Sequence, residues 1–496
     1  MRFKKFLFAT VAIAVLSPAQ AALTISKKPT RNVTCSGGVC TATRVNAVLN
    51  AADLATMLAA SDVTVSSGSH AQDIDLTGAF AWASTHRLTL DSFRAIAVTA
   101  PVQVTGTGAL TIATNDGGSG GAFNVVAKGS IGFLDTSSNL TINGATYTLA
   151  ASLATLSSAI AADQSGNFAF ARSYNAGPDG VYPQNPITSV FVGRLEGLGN
   201  TISHMTIKNA DVGGHVGMFY ATGAVSNLHF THAGVRGGKL EGVGVLAGLC
   251  ADDVTNVTVS GKVMTGLDGM AGGVCGALAG NMTNVHASGT VTGAGDKGSA
   301  QNWAGGLVGL LDGGTISASS SSAKIIGAKG WIIGGLVGRN QDTIGGSFAT
   351  GVVSTGDNGV AGGLVGNNVG NSIANSYATG FTLGGVSSTV GGLIGKNDGA
   401  VGGSYSSGPV VSGSGNAVGG FIGNDLGASD LTDTYFDITT SGQSHGVGNN
   451  TSYPGITGLT TEQFQAGLPS GFDPQIWGEA PGINGGLPYL LANPPE

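Results

Sequence analysis

One phrase recurs through the middle of the chain and limits what it can fold into. Gly305-Gly306-Leu307-Val308-Gly309 returns as Gly334-Gly335-Leu336-Val337-Gly338, Gly362-Gly363-Leu364-Val365-Gly366, Gly391-Gly392-Leu393-Ile394-Gly395 and Gly419-Gly420-Phe421-Ile422-Gly423. Successive starts lie 29, 28, 29 and 28 residues apart, and a fixed period of that size marks a solenoid. A second phrase keeps step with the first: Ile344 with Phe348, Ile373 with Tyr377, Val401 with Tyr405, Leu431 with Tyr435. Residues four apart on a strand share a face, so each pair is expected to point the same way. The nested periods predict coils of β-strand.

Leu307, Leu336, Leu364, Leu393 and Phe421 are then expected to stack one per coil, ~4.8 Å apart, with backbone hydrogen bonds joining the coils. Phe348, Tyr377, Tyr405 and Tyr435 form a second column, each stacked pair adding ~0.5–1.5 kcal/mol beyond burial. Asn340, Asn368 and Asn397 sit four residues past a repeat leucine and read as a turn ladder. The fold class is all-β: a β-solenoid with coils of about 28–29 residues and few short helices.

Composition agrees with an ordered chain. Charged residues are 10% of the sequence, against ~25% in ordinary domains, while glycine is 86 of 496. Disorder needs low hydrophobicity with high charge, and here 42% of residues are hydrophobic. The net charge of −7 offers no basic footprint for nucleic acid. Residues 1–21 read as a secretory signal: Arg2, Lys4 and Lys5, an apolar run from Phe6 to Leu16, and small residues up to a cleavage point after Ala21. That run is about half the ~20 residues a membrane span needs, and no later stretch is long enough. The expected location is secreted, extracellular or on a bacterial surface.

After the signal, residues 22–185 read as a β-rich region with short helices. Asn50 caps a helix that follows it, and the alternating runs at 63–65, 74–76, 88–90, 96–98, 102–104 and 110–112 are half-buried strands. Their spacing is too irregular to show a repeat. A further helix is expected over 149–162, with its apolar face at 149, 153, 156 and 160. Residues 186–436 hold the repeats, degenerate at about 214–235, 242–263 and 270–291 and clear from 299. Residues 437–496 lose the period and read as a terminal cap, with a capping-box helix start at Thr460–Gln463.

Cys35 and Cys40 flank a flexible Ser-Gly-Gly-Val span and are a candidate disulfide. Cys250 and Cys275 lie about one repeat apart. Aligning the repeats on Asn256 and Asn284 matches Cys250 with Leu278, and Cys275 with Ala247, three residues out of register. Three strand steps are ~10 Å and switch faces, so these two are expected to be free.

The repeat phrase, followed by Ile-x-x-Ser-Tyr-Ala-Thr-Gly, resembles the GLUG repeat of large bacterial surface proteins. The run from Asp73 through Leu88, Gly106-Thr-Gly108 and Ile142–Thr148 is similar to filamentous-haemagglutinin-like adhesins, as are Phe191–Asn200 and Tyr435–Gln443. The resemblance covers nearly the whole mature chain. It implies a right-handed parallel β-helix, export, and a role in adhesion or biofilm, with no catalytic residue and no cofactor to carry over. An Asn-Pro-Asn-Leu recognition signature of such adhesins is missing.

Motifs for chemistry are few. Gly117-Gly-Ser119-Gly-Gly121 fits G-x-S-x-G, but it sits in a glycine-rich loop and not on a strand-to-helix elbow. Gly293-Ala-Gly295-Asp-Lys-Gly298 fits G-x-G-x-x-G with no helix after it to face a phosphate. His229 and His232, three apart on a strand, point to opposite faces. Asp312, Asp342, Asp357 and Asp398 fall at turns and read as corner hydrogen-bonders. The leading expectation is a non-enzymatic attachment protein meeting a host, matrix or cell-surface protein or glycan. The alternatives are a carbohydrate-active β-helix enzyme, which needs acids converging on one cleft, and a self-assembling surface protein.

Overall fold

The computed structural model describes residues 22–495 apart from 127, 210–211, 296–301, 371, 415–416, 428–429 and 450–454. The signal segment, its Ala21 junction and residues 296–298 of the glycine phrase lie outside these. The described chain is a parallel β-solenoid of about 14 turns, with few short helices.

Two stacks of coils follow one another. In the first, strands Val63–Ser66, Arg87–Asp91, Ala109–Ala113 and Leu140–Ile142 lie side by side in parallel, with Val63 beside Leu88, Leu88 beside Leu110 and Leu110 beside Leu140. The coil thus closes after 25, 22 and 30 residues, which is why no period shows in the sequence. Inward positions such as Val65, Leu90, Ile112 and Ile131 are wholly buried in one core. Helix α1 (Ala51–Ala60) covers part of that core with Leu54 and Leu58, and the Asn50 carboxamide accepts from the Ala52 and Asp53 N–H groups at 2.9 and 3.2 Å.

A hairpin at Asn143-Gly144, both left-handed, then reverses the strand direction: Leu140–Ile142 runs antiparallel to Ala145–Ala150. Parallel pairing resumes from Ala145–Ala150 to Asn167–Phe170 and Arg194–Ser203. One sheet therefore runs through both stacks, and this antiparallel step between them was not expected from the sequence. Helix α2 (Leu153–Ala162) is shorter than expected. Leu149 belongs to the preceding strand, and a capping box between Ser152 and Thr155 starts the helix at Leu153, which with Leu156 and Ile160 enters the second core.

In the second stack each coil visits three sheets. One coil, for example, gives Thr343–Gly345, Phe348–Ala349 and Val353–Thr355 to the long sheet. It then gives Val360–Gly362 to a front sheet and Val365–Asn368 to a side sheet. The front and side sheets have eight strands each. Leu307, Leu336, Leu364, Leu393 and Phe421 are fully buried and joined head to tail, each N–H donating to the next carbonyl at 2.8–2.9 Å.

The aromatic pairs correct the expectation. Ile344 lies in the main core, but Phe348 belongs to a separate cluster on the outer side of the same sheet. The residue between them turns the chain over: Gly346, Asn375, Gly403 and Asp433 all have left-handed φ, from 48° to 56°. Four apart on an unbroken strand means one face; across such a bulge it means two. The serine just before each aromatic turns inward instead. Ser347, Ser376 and Ser404 form a buried ladder, each hydroxyl accepting the N–H of the coil before it at 3.1–3.3 Å.

Cys250 and Cys275, expected to be free, are bonded, with Cα atoms 5.9 Å apart. The register is the one deduced: Ala247 faces Cys275 and Cys250 faces Leu278. The error lay in treating the strand as flat. The ladder skips Gly248 and Gly276, and this bulge leaves residues three apart on the same buried side. Cys35 and Cys40 are bonded across the hairpin Val33–Ser36/Val39–Ala42.

Beyond Asp437 the chain first closes the end and then turns back. Thr440 and Gln443 donate side-chain bonds to the Ser407 and Val410 carbonyls, and Ile456–Leu459 pairs with the last strand. Residues 461–493 then run up the flank over the aromatic column. Phe464, Phe472, Trp477 and Leu490 pack on Tyr377, Tyr405 and Tyr435. The Tyr405 hydroxyl donates to the Pro488 carbonyl at 2.6 Å, and the Asn493 carboxamide donates to the Ser319 and Gly346 carbonyls at 3.1 and 3.2 Å.

Candidate binding groove

The most conspicuous phrase of the sequence builds a re-entrant corner between the front and side sheets. A side chain at Gly334 would place Cβ 2.0 Å from the Val337 carbonyl oxygen, and one at Gly338 would meet the Ala304 nitrogen at 2.7 Å. Both glycines face outward, where the two sheets fold toward each other and leave no room for a β-carbon. The middle glycine, Gly335, faces the opposite way: its Cβ would lie 2.8 Å from that of Ala349. Gly-Gly-aliphatic-aliphatic-Gly is thus two glycines at the outer corner, one against the inner wall, and two aliphatics in the core.

Outward side chains of both sheets meet across this corner along the stack. On the front wall Met270, Trp303, Ile332 and Val360 follow in register; on the side wall Leu310, Arg339, Asn367 and Lys396 do so. None of these eight is exposed, and Val360 and Leu310 are only 6% and 9% accessible, although they point away from the core. Concavity explains that. The Arg339 guanidinium lies over the Trp303 ring, 5.1 Å from its centre, and at the other end the His215 and Tyr220 rings meet edge to face at 4.8 Å.

The groove changes character along its length. Near His215, burial holds the imidazole below its usual pKa, which favours its neutral form, and its Nδ1 is enclosed without a hydrogen-bond partner. Farther along come Arg339 and Lys396. Among the described residues the ion pairs are His86 with Asp62 and Arg94 with Asp73, both in the first stack. Among the described residues neither groove cation has a carboxylate within ion-pair range.

Other features resolve into structure. The buried amides of Asn340, Asn368 and Asn397 donate in turn, at 2.7 and 2.8 Å, and the last donates to Asp425 at 3.1 Å. The Asp342 carboxylate accepts from the Gly313 N–H, Asp357 from the Val386 N–H at 2.8 Å, and Asp312 from the Gln341 amide at 2.9 Å. These are corner bonds, and no group of three or more potential metal ligands forms among the described residues. His229 bonds Thr258 at 2.7 Å, while His232 stacks on His204 at 4.9 Å. The serine of Gly117–Gly121 lies in the loop between strands Ala109–Ala113 and Phe123–Val125. A hollow of about 420 Å³ beside α2 is lined by Asp179 and Tyr182, but the carboxylate already accepts the Tyr174 and Tyr182 hydroxyls.

The groove walls were missed in the sequence because outward positions vary from coil to coil. The signal that pointed to them was the unchanging last glycine of each phrase. Among the described residues no helix is long and apolar enough to cross a membrane.

No protein-family profile and no curated relative matches the chain. Among solved structures, a Bacteroides ovatus chain provisionally described as an immunoglobulin A1 protease is similar at 19% identity and a TM-score of 0.38, over 66% of this chain and 85% of that one. A second, described as an IgA1 protease, is similar at 19% identity and a TM-score of 0.38, over 61% of this chain but 23% of its own length. Beside neighbours so named, the expectation of a chain without enzymatic activity is withdrawn. At this TM-score the likeness carries no argument for any activity, substrate or partner of this chain.

Proposed function

We propose that the chain is an exported attachment protein of the GLUG-repeat, filamentous-haemagglutinin-like kind, which holds a linear polymer of a host, matrix or cell surface along its groove. The observation that carries this reading is the groove itself: a concavity repeated coil after coil at one strand spacing, suited to a ligand that is long and regular. Many weak contacts in register give avidity through number, each coil adding to the last. The aromatic column is already occupied by residues 461–493 and is not offered to a partner.

The test is a binding array. Residues 22–496, purified under oxidising conditions, are applied to matrix proteins and to linear and branched glycans, with release of reducing ends followed in parallel. Retention that grows with polymer length, and is lost when groove residues are changed, is expected. Binding to short and long oligomers alike, or turnover without retention, contradicts attachment. Fractionation of producing cells tests export, and recovery in the cytosol with residues 1–21 intact speaks against it.

A further inference from the structure

We infer that the groove takes a linear glycan bearing carboxylates, a polyuronate, with Arg339 and Lys396 as its anion-binding pair; the inference rests on the attachment reading and specifies its ligand. Arg339, Asn367 and Lys396 occupy successive rungs of the side sheet, so the two cations stand two coils apart on one wall, ~9.6 Å at the usual strand spacing. In an extended β-1,4-linked uronate, alternate sugars turn over. Carboxylates on one side therefore recur once per disaccharide, a step close to that interval. Asn367, between the cations, has an amide to share with ring or linkage oxygens at the intervening sugar.

Arg339 is held ready for such a contact. Its face is spent on Trp303, which fixes the plane of the guanidinium and leaves the in-plane N–H groups free. Nε is enclosed and unpartnered, and no guanidinium nitrogen donates to a protein group among the described residues. A cation without a carboxylate partner among the described residues, in a half-buried groove of a chain with net charge −7, is a ready partner for an anion from outside. The apolar wall of Ile332 and Val360 opposite offers the flat surface against which a sugar ring's C–H face packs.

The experiment is titration calorimetry at low salt with three hexasaccharides: β-1,4-mannuronate, its neutral counterpart β-1,4-mannohexaose, and a heparin-derived hexasaccharide. Mannuronate is expected to bind and mannohexaose not. Arg339→Gln and Lys396→Gln should each weaken mannuronate at least tenfold. Asn367→Asp, which keeps both cations but sets between them a negative charge that repels the ligand's carboxylates, should do the same with melting temperature unchanged. Unaltered affinity in these variants, equal binding of the neutral sugar, or tenfold preference for the sulfated one overturns the proposal. If mannuronate fails while the wild-type chain is retained on other polymers in the array, only the ligand class is wrong. Failure in both removes the attachment reading as well.

Discussion

At the residue scale, the buried asparagines of the repeats bond to their equivalents one coil away. Asn368 both accepts from Asn340 and donates to Asn397, so Asn368→Ala should destabilise the fold by about 1–3 kcal/mol, measured by urea denaturation, through the groups it strands. Glu196 is bonded to the next coil as well, through its register partner Ser226. It is 4% exposed and receives the Leu198 N–H, the Ser226 hydroxyl and the Asn227 amide, yet burial holds its carboxyl up at about 7, against 4.5 when exposed. The unfolded chain therefore releases this proton first as pH rises. Its contribution is most favourable below pH 4.5, falls between pH 4.5 and 7 by about 3 kcal/mol, and is flat above. Glu196→Gln should remove that slope from the stability–pH curve; an unchanged slope contradicts the assignment.

At the element scale, the coil is a strand path broken at fixed places by bulges, and these decide which side chains face where. Gly338→Ala forces a β-carbon into the Ala304 backbone and should cost about 1–3 kcal/mol by calorimetry; a neutral result would mean the corner is looser than described. Period, strand type and the stacking of Leu336 on Leu364 were legible because the same residue types return at the same interval. Facing was not, because a bulge inserts a residue without marking it. Glycine at 346 and 403, asparagine at 375 and aspartate at 433 all adopt the same left-handed turn, and no single residue type signals it. The unexpected Cys250–Cys275 bond has the same origin. The first stack was illegible as a repeat because its coils differ in length while its inward Val, Leu and Ile still align.

At the scale of the whole molecule, the aromatic column and the tail that covers it are one device. Outward positions in line with Phe348 and Tyr377 are Ser320, His286, Thr258 and His229 in earlier coils, so aromatic residues occur where the tail lies and polar ones beyond it. Truncation after residue 460 should bare Tyr377 and Tyr405 and make the chain aggregate with rising concentration in sedimentation more than the intact chain does; unchanged sedimentation would show the strap to be incidental. The tail thereby covers this flank, while the groove lies between the front and side sheets, away from it. Hydrogen–deuterium exchange of the intact chain, with and without a polymer retained on the array, tests this most directly. Protection is predicted in the front and side strands over 303–305, 332–334, 337–340, 365–368 and 394–397, and not in residues 461–493. Protection confined to the tail, the first stack or the outer face of the long sheet would contradict the account.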